Sequence, residues 1–144
     1  MTADNDLERA LQRFRRAGKE MRMQLLLSYA KRFPELPPEL AAARDAGLNR
    51  VHECQTPLFL WVGVENGMVR LHADAPREAP TVRGFMSFLI DVLDGKPPET
   101  VAALPGNLLE EMGLGEVLGV MRTQGLGAVI RRVKGDVARA SAPS

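Results

Sequence analysis

Leu58-Phe59-Leu60-Trp61-Val62-Gly63-Val64-Glu65-Asn66-Gly67-Met68-Val69-Arg70-Leu71-His72-Ala73 is the stretch that decides the fold. From Leu58 to Val64 it is continuously apolar and rich in β-formers, the pattern of a central strand covered on both faces. Asn66-Gly67 supplies the pair that a two-residue type I′ turn favours, because both central positions need positive φ. From Met68 the pattern alternates, with Val69, Leu71 and Ala73 on one face and Met68, Arg70 and His72 on the other. A β-hairpin over about 58–73 is therefore expected, with Trp61 in the core.

Outward from the hairpin the chain reads as helix. Downstream, Pro80 suits a first helical position, and Val82, Phe85, Met86, Leu89, Ile90 and Leu93 keep one apolar face until Gly95-Lys96-Pro97 stops it. Short helices over 98–103 and 107–112 are separated by Pro105-Gly106. A last helix carries Leu126, Val129, Ile130, Val133 and Val137 on one stripe, with Arg131, Arg132 and Lys134 facing water. The tail, about 139–144, is expected to fray.

Upstream, Leu7, Ala10, Leu11 and Phe14 follow helical spacing, with Asp4, Asn5 or Asp6 available as N-cap. After Gly18 a second helix over about 20–32 carries Met21, Leu25, Leu26, Tyr29, Ala30 and Phe33, a stripe broad enough for more than one neighbour. Pro34, Pro37 and Pro38 end it. Between there and Gln55, residues 41–46 suit a short helix while Gly47 and Asn49 suit a loop. The expected architecture is α+β in a single domain: a small antiparallel sheet packed against several helices.

Composition narrows the function. The chain has 144 residues, 45% hydrophobic and 26% charged, ordinary globular usage for one domain. A net charge of +1 and a pI of 7.9 argue against nucleic acid, whose partners are usually basic on one face. No apolar run approaches the roughly 18–20 residues of a membrane span. The acidic, polar start from Met1 to Asp6 lacks the basic n-region of a signal peptide, so a cytoplasmic location is expected. A single cysteine builds no internal disulfide and no cysteine-rich metal site, and His52 and His72 are the only histidines. No phosphate-cradling glycine loop, HExxH or GxSxG is present.

The search for chemistry thus comes down to Cys54, in Arg50-Val51-His52-Glu53-Cys54-Gln55-Thr56-Pro57, just before the apolar strand. A cysteine reacts as its thiolate, which nearby Arg50 and His52 would favour and Glu53 would oppose. The residues themselves fit two readings, a reactive thiol and a small buried hydrophobe in a non-catalytic α+β interaction module. His52 is a candidate proton acceptor for Cys54 or an exposed loop histidine. Asp74 either helps hold the cysteine loop or is a turn former. Arg122 either faces the thiol or is solvated.

A resemblance favours the reactive thiol. Cys54-Gln55 opening into an apolar strand with a tryptophan resembles the Gly-Cys-Gln-Ser motif of the SufE family of sulfur-acceptor proteins. Ala73-Asp74 after the hairpin, Arg122-Thr123-Gln124-Gly125-Leu126 at the start of the last helix, and the early Phe33-Pro34-Glu35-Leu36 turn are similar to family features in the same order. The likeness spans about residues 7–137. Glu53 stands where the family has glycine, and Val120-Met121 where a Ser-Pro-like pair often precedes the arginine.

The resemblance implies a SufE/NifU-like fold and a persulfide carrier. A SufS-type, pyridoxal-phosphate cysteine desulfurase would leave sulfur on its own loop cysteine, and Cys54 would take it up. The sulfur would then pass to a scaffold assembling iron–sulfur clusters. Gln55, Asp74, Arg122 and His52 would support Cys54. This chain itself would hold no cofactor and no metal, the pyridoxal phosphate belonging to the desulfurase. Because a persulfide is easily lost to solvent reductants, Cys54 is expected to be sheltered in the resting protein.

Overall fold

The computed structural model describes residues 2–141; residues 142–144 of the expected tail lie outside the described residues. The hairpin forms as read. Strand β1 (Phe59–Glu65) pairs antiparallel with β2 (Met68–Asp74) through a turn in which Asn66 has φ 53° and Gly67 φ 78°. Leu60 lies opposite Ala73, Val62 opposite Leu71 and Val64 opposite Val69, and this face meets the core.

The other face departs from expectation. Among the described residues the sheet has two strands, and β1 is not covered on both sides. Phe59 and Trp61 are half-buried on the outer face, their rings stacked at 6.5 Å. Trp61 is therefore a sheet-surface residue and not a core one. A continuous apolar run does not by itself say whether the second face meets protein or only its own aromatic neighbours.

Both sheet edges, which would otherwise expose unpaired backbone groups, are partly closed by segments that are not strands. Along β1, the Leu60 N–H donates to Asn49 O (3.0 Å), the Val51 N–H to Leu58 O (2.8 Å) and Asn49 Nδ2 to Leu60 O (3.1 Å). Asn49 turns the chain there with φ 63°. Along β2, the Val69 N–H donates to Lys96 O and the Gly95 N–H to Val69 O, both at 2.8 Å. The Leu71 N–H donates to Asp94 Oδ1 at 2.8 Å. Replacing Asp94 by alanine strips the Leu71 N–H of its acceptor and is expected to cost about 1–2 kcal/mol, while Asp94→Asn keeps an acceptor oxygen and costs less. Urea midpoints read the difference; an Asp94→Ala midpoint equal to wild type would show that this edge is satisfied another way.

Helix α1 (Thr2–Arg16) buries Leu7, Ala10, Leu11 and Phe14, the expected stripe. It begins before Asp4, so positions 4, 5 and 6 lie inside the helix, past the N-cap position expected of them. Asp6 instead pairs with Lys96 and Arg9, each at 2.9 Å, which holds its carboxyl below the usual range. Helix α2 (Lys19–Lys31) buries only Leu26 and Tyr29, and Met21 is exposed, so its apolar stripe is narrower than read. Arg22 ties α2 to the end of α1 by donating to Phe14 O (2.8 Å) and Arg15 O (3.2 Å). Residues 41–46 resolve in favour of helix: α3 covers Pro38–Asp45 and stops before Gly47, where φ is 83°.

The central element is α4 (Pro80–Leu93), begun by its proline and buried along Val82, Phe85, Met86, Phe88, Leu89, Val92 and Leu93. Phe88 meets Phe14 and Tyr29 edge-to-face, each at 5.5 Å. The short helices α5 (Pro98–Ala102) and α6 (Leu108–Glu111) appear where expected, and α7 (Gly115–Leu118) is additional. Helix α8 (Val120–Ser141) buries Leu126, Val129, Ile130, Val133 and Val137, and it carries residues 139–141 of the expected tail as helix.

The basic face of α8 is only partly solvated. Arg131 is exposed, but Lys134 donates to the carbonyls of Ala102 and Leu104, fastening the end of α5. Arg132 donates to Arg50 O at 3.4 Å. Period alone placed these side chains toward water; their long stems carry the charged ends back to backbone acceptors. No helix among the described residues is long and apolar enough to cross a membrane.

Candidate functional site

The chain leaves α3, pairs residues 49–51 against 58–60, and throws out the loop 52–57 between the two paired arms. This loop, read from sequence as irregular, is thus clamped at both ends. Inside it the Cys54 N–H donates to Val51 O at 3.3 Å, a tight turn that faces the side chain inward. Cys54 is 4% exposed and belongs to the hydrophobic core cluster. The expected shelter is present.

The shelter borders on an opening. A cavity of about 380 Å³ is lined by Glu53, Cys54, Gln55 and Thr56 from the loop and by Met121, Arg122 and Gln124 from the first turns of α8. Arg122 reaches across to α4, where its Nη1 donates to Thr81 Oγ1 at 3.2 Å. The guanidinium, on an exposed residue, is tethered at the cavity wall by this one bond. Among the described residues no side chain hydrogen-bonds to Cys54 Sγ, and no cluster of His, Cys, Asp or Glu could hold a metal ion. What the site offers is one thiol, out of solvent, at the wall of an open cavity that a guanidinium also lines.

The structure brings together Cys54, Gln55 and Arg122, and leaves out Asp74 and His52. His52 is exposed in the turn and does not line the cavity. Asp74 faces a separate cleft of about 1040 Å³ that also includes Phe33, Arg44 and Arg83. There it accepts from Arg44 Nη1 at 2.7 Å and lies 3.6 Å from Arg83 Nη1, while Arg83 stacks 4.1 Å above the Phe33 ring. Asp74, together with Asp45, raises the Arg44 guanidinium above its ordinary value. Asp74 thus fastens the scaffold on the far side of β2. Spacing along the chain could not separate the two sides.

Sequence reasoning gave no individual role to Thr81, Met121, Gln124 or Gly125, although the last two stand in the stretch that resembles the family. The first three carry no signal of their own, since only the meeting of the start of α8 with the cysteine loop, and the reach of Arg122 to Thr81, assembles them. Gly125 did carry one: a glycine inside a helical stripe disfavours the helix and usually has a packing reason.

A single-thiol α+β domain with its thiol buried at the wall of an open cavity is the class that this fold and site define. The family model for SufE, described as an Fe-S metabolism associated domain, matches residues 8–137. The chain belongs to the SufE family. It is 40% identical over 114 residues to an uncharacterized SufE-like protein of Mycobacterium tuberculosis, covering 78% of each chain. It is 32% identical over 112 residues to the sulfur acceptor protein CsdE of Escherichia coli, covering 76% of this chain and 72% of the relative. The solution structure of a hypothetical protein from Thermus thermophilus superposes with a TM-score of 0.78 at 41% identity, over 93% of this chain and 94% of that one.

Proposed function

We propose that this chain is a cytoplasmic sulfur acceptor that takes persulfide sulfur from a SufS-type cysteine desulfurase onto Cys54 and passes it on for iron–sulfur cluster assembly. The observation that carries the reading is the lone cysteine, held out of solvent at the wall of an open cavity. Family membership and the similarity to a named sulfur acceptor support it.

The chemistry is a displacement. The Cys54 thiolate attacks the outer sulfur of the donor's cysteine persulfide; a sulfur–sulfur bond forms to Cys54 as the donor's breaks, and the donor cysteine leaves as its thiolate. The outer sulfur moves with its proton, so no external oxidant or reductant is consumed. Rate depends on access and on the thiolate fraction, as in thiol–disulfide exchange. Arg122, held by Thr81, offers a positive charge where anionic sulfur arrives and leaves. Gln55 offers an exposed amide at the rim. The pyridoxal phosphate does its work in the desulfurase, and a second displacement hands the sulfur to the scaffold.

The expected result with a desulfurase, cysteine and reductant is a several-fold rise in alanine output when this chain is added. Cys54→Ser binds the desulfurase without raising its turnover. Equal stimulation by the serine variant would show that the chain acts as an interaction module and that its cysteine is merely buried.

A further inference from the structure

Glycine is a poor helix former, yet α8 contains Gly125, Gly127 and Gly135. Their surroundings differ. A Cβ at Gly127 would meet only Arg131 Nη1, and one at Gly135 would approach no atom more closely than Arg139 Nη1, both at 3.5 Å, ordinary contact with the far end of a flexible side chain. A Cβ at Gly125 would stand 3.1 Å from Cys54 Sγ and 3.3 Å from both its Cα and its Cβ. Those separations are tighter than real side chains normally keep, and all three nearest atoms belong to the thiol residue.

We propose that Gly125 is a positioning residue for the thiol: its missing side chain is the seat on which Cys54 rests, and the bare helix surface there keeps the sulfur sheltered. Since Sγ has no hydrogen-bond partner among the described residues, the closed state is held by fit against this surface. The two sides of the contact differ in stiffness. Next to Gly125, α8 is anchored by Leu126, Val129 and Ile130, each buried in the core. The loop 52–57 has between its clamped arms the single backbone bond from Cys54 to Val51. A methyl group at position 125 therefore displaces the loop, and the thiol moves toward the cavity mouth. By the same geometry, a partner that draws the loop outward breaks no hydrogen bond to sulfur. The size of residue 125 sets how closed the carrier rests.

The purpose of such a seat rests on the sulfur-acceptor reading, but its test uses no desulfurase, so either can fail without the other. Cys54 is alkylated with iodoacetamide, a small neutral reagent, and the intact mass is followed well below the melting midpoint. Gly125→Ala is expected to label roughly tenfold faster than wild type, because the open population rises. Gly127→Ala, the same change two residues along the helix, is expected to label at the wild-type rate. Circular dichroism and the melting midpoint of Gly125→Ala should stay near wild type. Unchanged labelling in folded Gly125→Ala would overturn the proposal, because α8 would then have absorbed the methyl group. Faster labelling matched by an equal loss of global stability would also overturn it. Should Gly125→Ala not fold, recovery of the fold in Gly125→Ala/Cys54→Gly supports the seat, since that pair removes the Sγ and Cβ contacts, two of the three close approaches. Failure of that pair, with Cys54→Gly alone folded, places the fault elsewhere and overturns it.

Discussion

Cys54→Ser is expected to fold like the wild-type chain and to take up no reducible sulfur from a desulfurase supplied with cysteine. The loss should be complete and not partial, because the chain contains one cysteine and no other side chain of comparable nucleophilicity lines its cavity. The wild-type protein, weighed intact after the same incubation, is expected to gain sulfur in steps that a reductant removes. Retention of the fold is expected from the site itself. Cys54 Sγ makes no hydrogen bond among the described residues, so exchange for oxygen breaks none. Burying a hydroxyl without a partner costs about 1–3 kcal/mol, and the adjoining 380 Å³ cavity gives that hydroxyl a route to water. Reducible sulfur on the serine variant would place the acceptor on another group and end the assignment of Cys54.

Gly84→Ala is expected to be the most damaging small substitution in the scaffold. Gly84 lies in α4 where that helix crosses α2, and a Cβ built on it would overlap the Leu26 carbonyl oxygen and lie 2.8 Å from the carbonyl carbon and 3.2 Å from the Leu26 Cα. The obstacle is backbone, and Leu26 itself is fully buried, so no side-chain rotation relieves it. The two helices must separate, loosening Phe88 from Tyr29, whose rings meet at 5.5 Å. Alanine regains about 1 kcal/mol of helix propensity, and overpacking of this kind costs about 3 kcal/mol or more. Overpacking wins. A fall of roughly 10 °C in the melting midpoint follows for a chain of this size. A midpoint within a degree or two of wild type would show that α2 and α4 cross with more room than the geometry gives them.

These predictions contrast two glycines that occupy similar places in the sequence and different places in the molecule. Gly84 and Gly125 both interrupt amphipathic helices, and local pattern alone gives them the same meaning. One admits a neighbouring helix backbone and the other admits the thiol. Arg122 and Asp74 make the same point. Both were read as supports for Cys54, yet Arg122 lines its cavity and Asp74 joins Arg44 and Arg83 in another cleft.

By itself the sequence determined whatever repeats along the chain or depends on immediate neighbours. The alternation of Val69, Leu71 and Ala73 fixed the inner face of β2, Asn66-Gly67 fixed the turn, and the apolar positions of α1, α4 and α8 fixed their buried stripes. It also fixed the chemistry available, since one cysteine and two histidines leave few alternatives. Tertiary structure alone decided what covers each face. It left Phe59 and Trp61 stacked on an open side of β1, partly closed the sheet edges with residues 49–51 and 94–96, and drew Lys134 back to the end of α5. It also decided that Cys54 is sheltered, through contact with a glycine 71 residues further along the chain. Side-chain period is a property of a few consecutive backbone angles and is written locally. The neighbour across a loop is set by how whole helices pack, which no short window of sequence contains.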